Sequence, residues 1–199
     1  EGLIYLQISR GTADRDFAYP VDPKPTLTLF TQAKPVLDNP KAKTGISVAL
    51  LPDQRWARRD IKTVQLLYPS MAKMEAAAKG ADDAWLVEDG FITEASAATA
   101  HIISKDGKLI TRPLSHAILH GITRASVLDI AKEAGIDYEE RAFTPGEAKD
   151  AAEAFITSAT NFVLPVVAID GQNVGDGKPG PLTLKMRQLY IEKKLANAI

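Results

Sequence analysis

Trp85-Leu86-Val87-Glu88-Asp89-Gly90-Phe91-Ile92-Thr93 is the stretch on which the fold turns. An Asp-Gly pair favours the left-handed backbone that a tight hairpin turn needs, and here aromatic and β-branched runs flank it on both sides. The stretch therefore reads as two antiparallel strands. A second signal of the same kind follows at Asp106-Gly107, between Ala100–Ser104 and Lys108–Thr111.

Working outward, strand patterns cover Leu3–Ser9, Thr26–Phe30 and Gly45–Leu51 upstream, and Ala154–Ser158 and Val163–Ile169 downstream, the last ending in an Asp170-Gly171 turn. Between them, Arg10–Pro25 is polar and turn-rich and Pro35–Lys43 reads as a loop. Helix signals lie at Pro69–Lys79, with Gly80 just beyond, and at Ile122–Ala134, where Ile122, Val127, Ile130 and Ala134 form an apolar face and Gly135 a stop. Thr144-Pro145-Gly146-Glu147 is a capping-box pattern, and Leu182–Leu195 a closing helix. Hairpins mixed with helices argue for an α+β fold around a sheet core rather than a regular βαβ array. Because the chain opens at Glu1 directly in a strand pattern, it is expected to be a fragment whose upstream partner is missing.

With 199 residues, 45% hydrophobic and 25% charged, the chain has material for a substantial core. A net charge of -1 gives no general case for nucleic acid or an anionic membrane as partner. The absence of cysteine excludes disulfides, thiolate metal sites and a cysteine nucleophile, and is compatible with a cytoplasmic location. Only His101, His116 and His120 are available for zinc. His116 and His120 are at helical spacing, but the nearby proline and glycine argue against a helix there, so no metal is expected.

Chemistry gathers around Arg55-Trp56-Ala57-Arg58-Arg59-Asp60-Ile61-Lys62, read as a short basic strand ending in a lysine. A lysine amine attacks a carbonyl only when unprotonated, and crowding by guanidinium groups disfavours the ammonium form. One difficulty is parity: in a regular strand Arg55 and Lys62 would face opposite sides, so a bend or bulge must intervene. An aldehyde cofactor carrying a pyridine ring and a phosphate also needs a carboxylate and a set of backbone donors at a helix start. Glu94, just past a strand, supplies the first, and His120-Gly121-Ile122-Thr123-Arg124 the second. Thr157-Ser158-Ala159-Thr160 is a further anion-binding candidate. Each has a plainer reading alone: a solvated lysine, an exposed glutamate, an ordinary helix start, a polar turn.

Five motifs in order change that balance. Leu6 to Arg15, Arg55 to Lys62, Thr93-Glu94-Ala95-Ser96, Ile118 to Arg124 and Gly175-Asp176-Gly177-Lys178-Pro179-Gly180-Pro181 resemble those of the D-amino-acid aminotransferases, within the class IV, fold-type IV pyridoxal phosphate enzymes. The resemblance covers nearly the whole chain. It implies a large C-terminal domain over residues 36–199, with a mixed, barrel-like sheet and flanking helices, preceded in residues 1–35 by a remnant of the N-terminal lobe and the interdomain segment. It implies pyridoxal 5'-phosphate as cofactor and Lys62 as the catalytic residue, through an imine. Glu94 would pair with the ring nitrogen and Leu119 pack under the ring. Arg55, Gly121, Ile122, Thr123 and Thr160 would meet the phosphate. Arg15 would hold the substrate carboxylate, reaching into the neighbouring subunit of a homodimer. The implied reaction moves an amino group from a D-amino acid such as D-alanine to a 2-oxo acid such as 2-oxoglutarate.

The chain departs from the family pattern at Phe17, where histidine is common, at Ala95, Ala97 and Ala98, which replace glycine and serines, and at Ala159, which replaces a threonine. Within the same fold, a branched-chain aminotransferase or aminodeoxychorismate lyase relative would share Lys62 and Glu94. A catalytically silent truncated domain is the alternative of another class.

Overall fold

In the computed structural model, which describes residues 1–197, the elements fall into two units, residues 1–38 and the rest. The first is a ribbon. Strand β1 (Gly2–Ser9) pairs antiparallel with β2 (Thr26–Ala33) in unbroken register from Gly2 opposite Ala33 to Ser9 opposite Thr26. Tyr5 and Phe30 face each other in that register and their rings stack at 4.8 Å. The Glu1 carboxylate accepts hydrogen bonds from the Val36 and Leu37 amides, fastening the ribbon's two ends.

The second unit, among the described residues, is a nine-stranded mixed sheet with five helices. In chain order it contains α1 (Pro40–Thr44), β3 (Ile46–Pro52), α2 (Leu67–Ala78), β4 (Asp83–Glu88), β5 (Phe91–Ala95), β6 (Thr99–Ile103), β7 (Leu109–Thr111), α3 (Ile122–Glu133), β8 (Tyr138–Glu140), α4 (Pro145–Asp150), β9 (Glu153–Ser158), β10 (Phe162–Ile169), β11 (Gln172–Asn173) and α5 (Pro181–Ala196). The strands run β5-β4-β3-β10-β9-β6-β7-β8, with β11 on β10. The pairs β3–β4, β3–β10 and β7–β8 are parallel; the others are antiparallel. This is the expected α+β class with a barrel-like sheet. The curl brings the outer strand β5 against the chain that follows β8, where the Ile92 amide donates to the Phe143 carbonyl at 3.0 Å.

Alternation along the strands sorts side chains to two faces. Ala154 and Ile156 of β9 join Trp85, Ile92, Ile102, Ile110, Phe143 and Leu164 in the main core. Phe155, between them in sequence, joins Val127, Ile130, Val163, Met186 and Tyr190 beneath α3 and α5. A third cluster, of Ala49, Leu51, Ala72, Ala76, Ala84 and Leu86, seats α2 through small side chains.

The hairpin that decided the fold closes through Asp89 at φ 52° and Gly90 at φ 80°, both left-handed as a two-residue turn of this type requires. The capping box at Thr144 and Glu147 is fully formed. Four readings need correction. Pro35–Lys43 contains a short helix, because Asn39 caps it and Pro40 occupies its first turn. Strand β8 escaped notice because its three residues, Tyr138-Glu139-Glu140, are all exposed and show no alternation. Ile122 is exposed, and the polar Thr123 and Arg124 are buried instead, because the first turn of α3 faces a cavity. Finally, Arg55–Lys62 is not a strand but an irregular loop.

Candidate active site

Strand β3 keeps its last tie to β4 through the Asp53 amide, which donates to the Val87 carbonyl at 2.8 Å. Beyond it the Asp53 carboxylate draws the chain into a turn. It accepts from the Arg55 amide at 3.1 Å, from Arg55 Nε at 2.9 Å and from Arg55 Nη2 at 2.7 Å. The remaining Arg55 nitrogen, Nη1, reaches Glu94 Oε2 at 2.6 Å, while Glu94 Oε1 accepts the Leu119 amide at 2.9 Å. Thr93 Oγ1 stands 2.6 Å from Asp53 Oδ2. Arg59 grips Glu88 with two bonds of 2.7 Å, and its amide holds the His116 carbonyl. Arg58 pairs with Asp60 in the same bidentate way at the surface.

This turn resolves the parity difficulty, since no regular strand runs from Arg55 to Lys62. It also changes the meaning of the arginine cluster. Each guanidinium is matched by a carboxylate, and the group of Arg55, Arg59, Asp53, Glu94 and the half-buried Glu88 holds two cations against three anions. Burial would raise the Asp53 carboxyl, but the hydrogen bonds and charge of Arg55, with Thr93, hold it below the usual range. For Glu94 burial prevails over Arg55 and the Leu119 amide, and its carboxyl sits above the usual range. Lys62 differs from all three arginines. Among the described residues its Nζ makes no ion pair or hydrogen bond, and the residue is exposed and lines a cavity of about 980 Å³.

The far wall of that cavity is built mainly from backbone amides and hydroxyls, and its Arg124 guanidinium is engaged by Glu140 and the Arg112 carbonyl. Gly121 caps α3 without any side-chain hydrogen bond, so the amides of the first turn, Ile122 and Thr123 among them, have no capping side chain to meet them. The fit at this point is close: a Cβ on Gly121 would stand 3.2 Å from Thr99 Oγ1. Thr99 pairs with Thr157 across β6 and β9, and both line the cavity. The floor includes Ser96, whose hydroxyl donates to the buried Asp83 carboxylate.

Of the site residues expected from sequence, Lys62, Arg55, Glu94, Leu119, Gly121, Ile122 and Thr123 line this one cavity. Thr160 does not; its turn contributes Thr157, Ser158 and Ala159 instead. Arg15 belongs to the ribbon unit, where its guanidinium lies 5.4 Å over the Phe17 ring. Asp53 and Glu88 were not among the expected site residues, and Thr93 and Arg59, though inside quoted motifs, had no role of their own, although Asp53-x-Arg55 directly after a strand was an available cue for a local bidentate pair.

A curled mixed sheet with a buried carboxylate, an unpaired lysine and an open helix start on one cavity matches the class expected from sequence, the large domain of fold-type IV enzymes. The chain belongs to the class IV amino-transferase family, whose pattern matches residues 1–169. It is 41% identical over 184 residues to a D-alanine aminotransferase of Bacillus licheniformis, covering 92% of this chain and 64% of that protein. To a D-alanine aminotransferase of Staphylococcus haemolyticus it is 36% identical, covering 97% of this chain and 69% of the other. Among solved structures it resembles a T.th. branched-chain amino acid aminotransferase with pyridoxamine 5'-phosphate, at 26% identity and TM-score 0.83, over 98% of this chain and 66% of that one. The Escherichia coli branched-chain enzyme agrees in fold, with TM-score 0.87 at 24% identity over 96% of this chain and 65% of that chain. The chain thus spans roughly two thirds of the length of the relatives it matches. Among the described residues no helix is long and apolar enough to cross a membrane.

Proposed function

We propose that this chain holds pyridoxal 5'-phosphate and forms the chemical half of an aminotransferase that moves an amino group from a D-amino acid such as D-alanine to a 2-oxo acid such as 2-oxoglutarate. The carrying observation is that Lys62, Glu94 and the start of α3, from three separate parts of the sequence, line one cavity. The residues fit the cofactor's three demands: an amine without a competing partner, a buried carboxylate, and uncapped amides beside hydroxyls for an anion. The likeness to D-alanine aminotransferases supports the choice of D-amino acid.

When bound, the cofactor supplies an aldehyde for attachment and a ring that accepts electrons from the substrate α-carbon. Lys62 Nζ provides the point of attachment and takes the proton released at that α-carbon. Glu94, held by Arg55 and the Leu119 amide, offers its charge to a protonated ring nitrogen. Arg55 is engaged on all sides by Asp53 and Glu94, which favours a positioning role for it over direct contact with phosphate. Phosphate then falls to the Ile122 and Thr123 amides and the hydroxyls of the β9–β10 turn. Leu119 would lie against the ring, and in a homodimer Arg15 would reach into the neighbouring subunit's site to receive the substrate carboxylate.

Borohydride reduction in the presence of pyridoxal phosphate tests the reading. A stable adduct mapped by mass to the Lys62 peptide, lost in Lys62→Ala, is expected. Amino transfer from D-alanine should exceed that from L-leucine; the reverse order would move the chain to the branched-chain reading. No adduct at all would leave a silent domain.

A further inference from the structure

His101 has no place in the chemistry above, yet it is completely buried one step behind the wall of amides and hydroxyls. It lies on β6 opposite Phe155 of β9, and the two rings stack at 4.6 Å with only 5° between their planes. The ring is therefore fixed in orientation. Its Nε2 stands 2.9 Å from Thr157 Oγ1, while Nδ1 has no partner. Burial, reinforced by the Arg124 guanidinium, pushes the His101 pKa down to about 3, so the ring is neutral and carries a single N–H.

The position of that proton follows from what surrounds it. On Nδ1 it would be a buried donor with no acceptor, in the field of a cation whose own Nε is also unpartnered. On Nε2 it meets the threonine oxygen, and Nδ1 presents only a lone pair to that positive field. The second tautomer is the favoured one. Thr157 Oγ1 then accepts, and its own hydroxyl proton needs another acceptor. Among the described residues none takes it, and Thr157 lines the cavity beside Thr99 and the open start of α3.

Resting on the cofactor reading above, we propose that His101 is a positioning residue: its Nε2–H occupies one lone pair of Thr157 Oγ1 and directs that hydroxyl's proton to the cavity, so that the site selects a phosphorylated ligand over its unphosphorylated counterpart. A threonine free to rotate could serve either a donor or an acceptor. One already holding a histidine N–H favours acceptor-only oxygens such as those of phosphate.

The test compares pyridoxal phosphate with pyridoxal, titrated by absorbance against the full chain and its His101→Phe, His101→Gln and Thr157→Val variants. His101→Phe, which keeps the stack on Phe155, should weaken pyridoxal phosphate by about 5- to 10-fold and leave pyridoxal unchanged. His101→Gln, whose amide nitrogen can stand in for Nε2, should restore most of the loss. Thr157→Val should lose at least as much, with His101→Phe adding nothing on top of it. Equal weakening of both ligands, no weakening of either, or multiplying losses in the double variant overturns the proposal. If His101→Phe does not fold, Thr157→Val decides alone, since a loss shared equally by the two ligands refutes the selective donor. Failure of the cofactor reading is separate: wild-type chain would then give no borohydride-stable adduct on Lys62 with either aldehyde. In that event inorganic phosphate is the probe. Thermal stabilisation of wild type and His101→Gln but not His101→Phe upholds the role of His101, and equal or absent shifts in all three overturn it.

Discussion

The two walls of the cavity are built on opposite electrostatic plans. The wall formed by the loop after β3 and by β5 carries full charges that are paired with one another: Asp53 and Glu94 share Arg55, and Glu88 holds Arg59. The wall formed by α3 and the β9–β10 turn presents uncapped amides and hydroxyls, and its guanidinium, that of Arg124, is buried against Glu140 and the Arg112 carbonyl. The arginine-rich segment is thus the poorer place for an anion, because its guanidinium groups are already engaged. Partial charges held by backbone geometry need no counter-ion and stay available to a ligand.

Four changes would break or sharpen that contrast. Glu94→Gln attacks the charged wall at its working end; amino transfer should fall roughly 100-fold, as when a preorganised charge is removed from a reaction site, and turnover of D-alanine measures it. A loss below about tenfold would detach Glu94 from the chemistry. Asp53→Asn keeps shape but strips a fully buried carboxylate from Arg55 and Arg59. Removing one partner of a buried pair costs about 3–5 kcal/mol, read as a lower urea midpoint; an unchanged midpoint would mean that the arginines find other partners.

On the α3 side the response to acid should be large as well. The unfolded chain protonates His101 near the ordinary 6.5, whereas the folded chain refuses that proton until about 3. Stability is therefore lost as pH falls from 6.5 toward 3, by a few kcal/mol at most. Asp53, held below its ordinary value, adds to the loss below about pH 4; Glu94, raised by burial, acts in the opposite sense, gaining as pH falls toward 4.5. His101→Gln should flatten the slope above about pH 4, and urea midpoints across that range would show whether it does. The smallest effect is expected for Gly121→Ala, whose new methyl would press on Thr99 Oγ1. About 1 kcal/mol of overpacking is expected, relieved when Thr99→Ala is added; a double variant no better than the single would place the strain elsewhere.

Much of the frame was legible from residues in a row. Asp89-Gly90 named its own turn, Thr144 to Glu147 named a helix start, and Gly135 a helix end, because each signal is the backbone preference or short-range hydrogen bond of a few neighbours. The likeness of five motifs placed Lys62, Glu94 and Gly121 as candidates without any knowledge of what held them. Partner choice was another matter. Thr93 meets Asp53 across 40 residues, Arg59 meets Glu88 across 29, and His101 meets Thr157 across 56. Long side chains with several rotamers take whichever counter-group the strand order brings within reach. The sequence by itself determined where this chain turns, where its helices begin and which residues are equipped for chemistry. Only the strand order of the sheet decided that Arg55 and Arg59 would reach Glu94 and Glu88, leaving Lys62 unpaired and the start of α3 open on the same cavity.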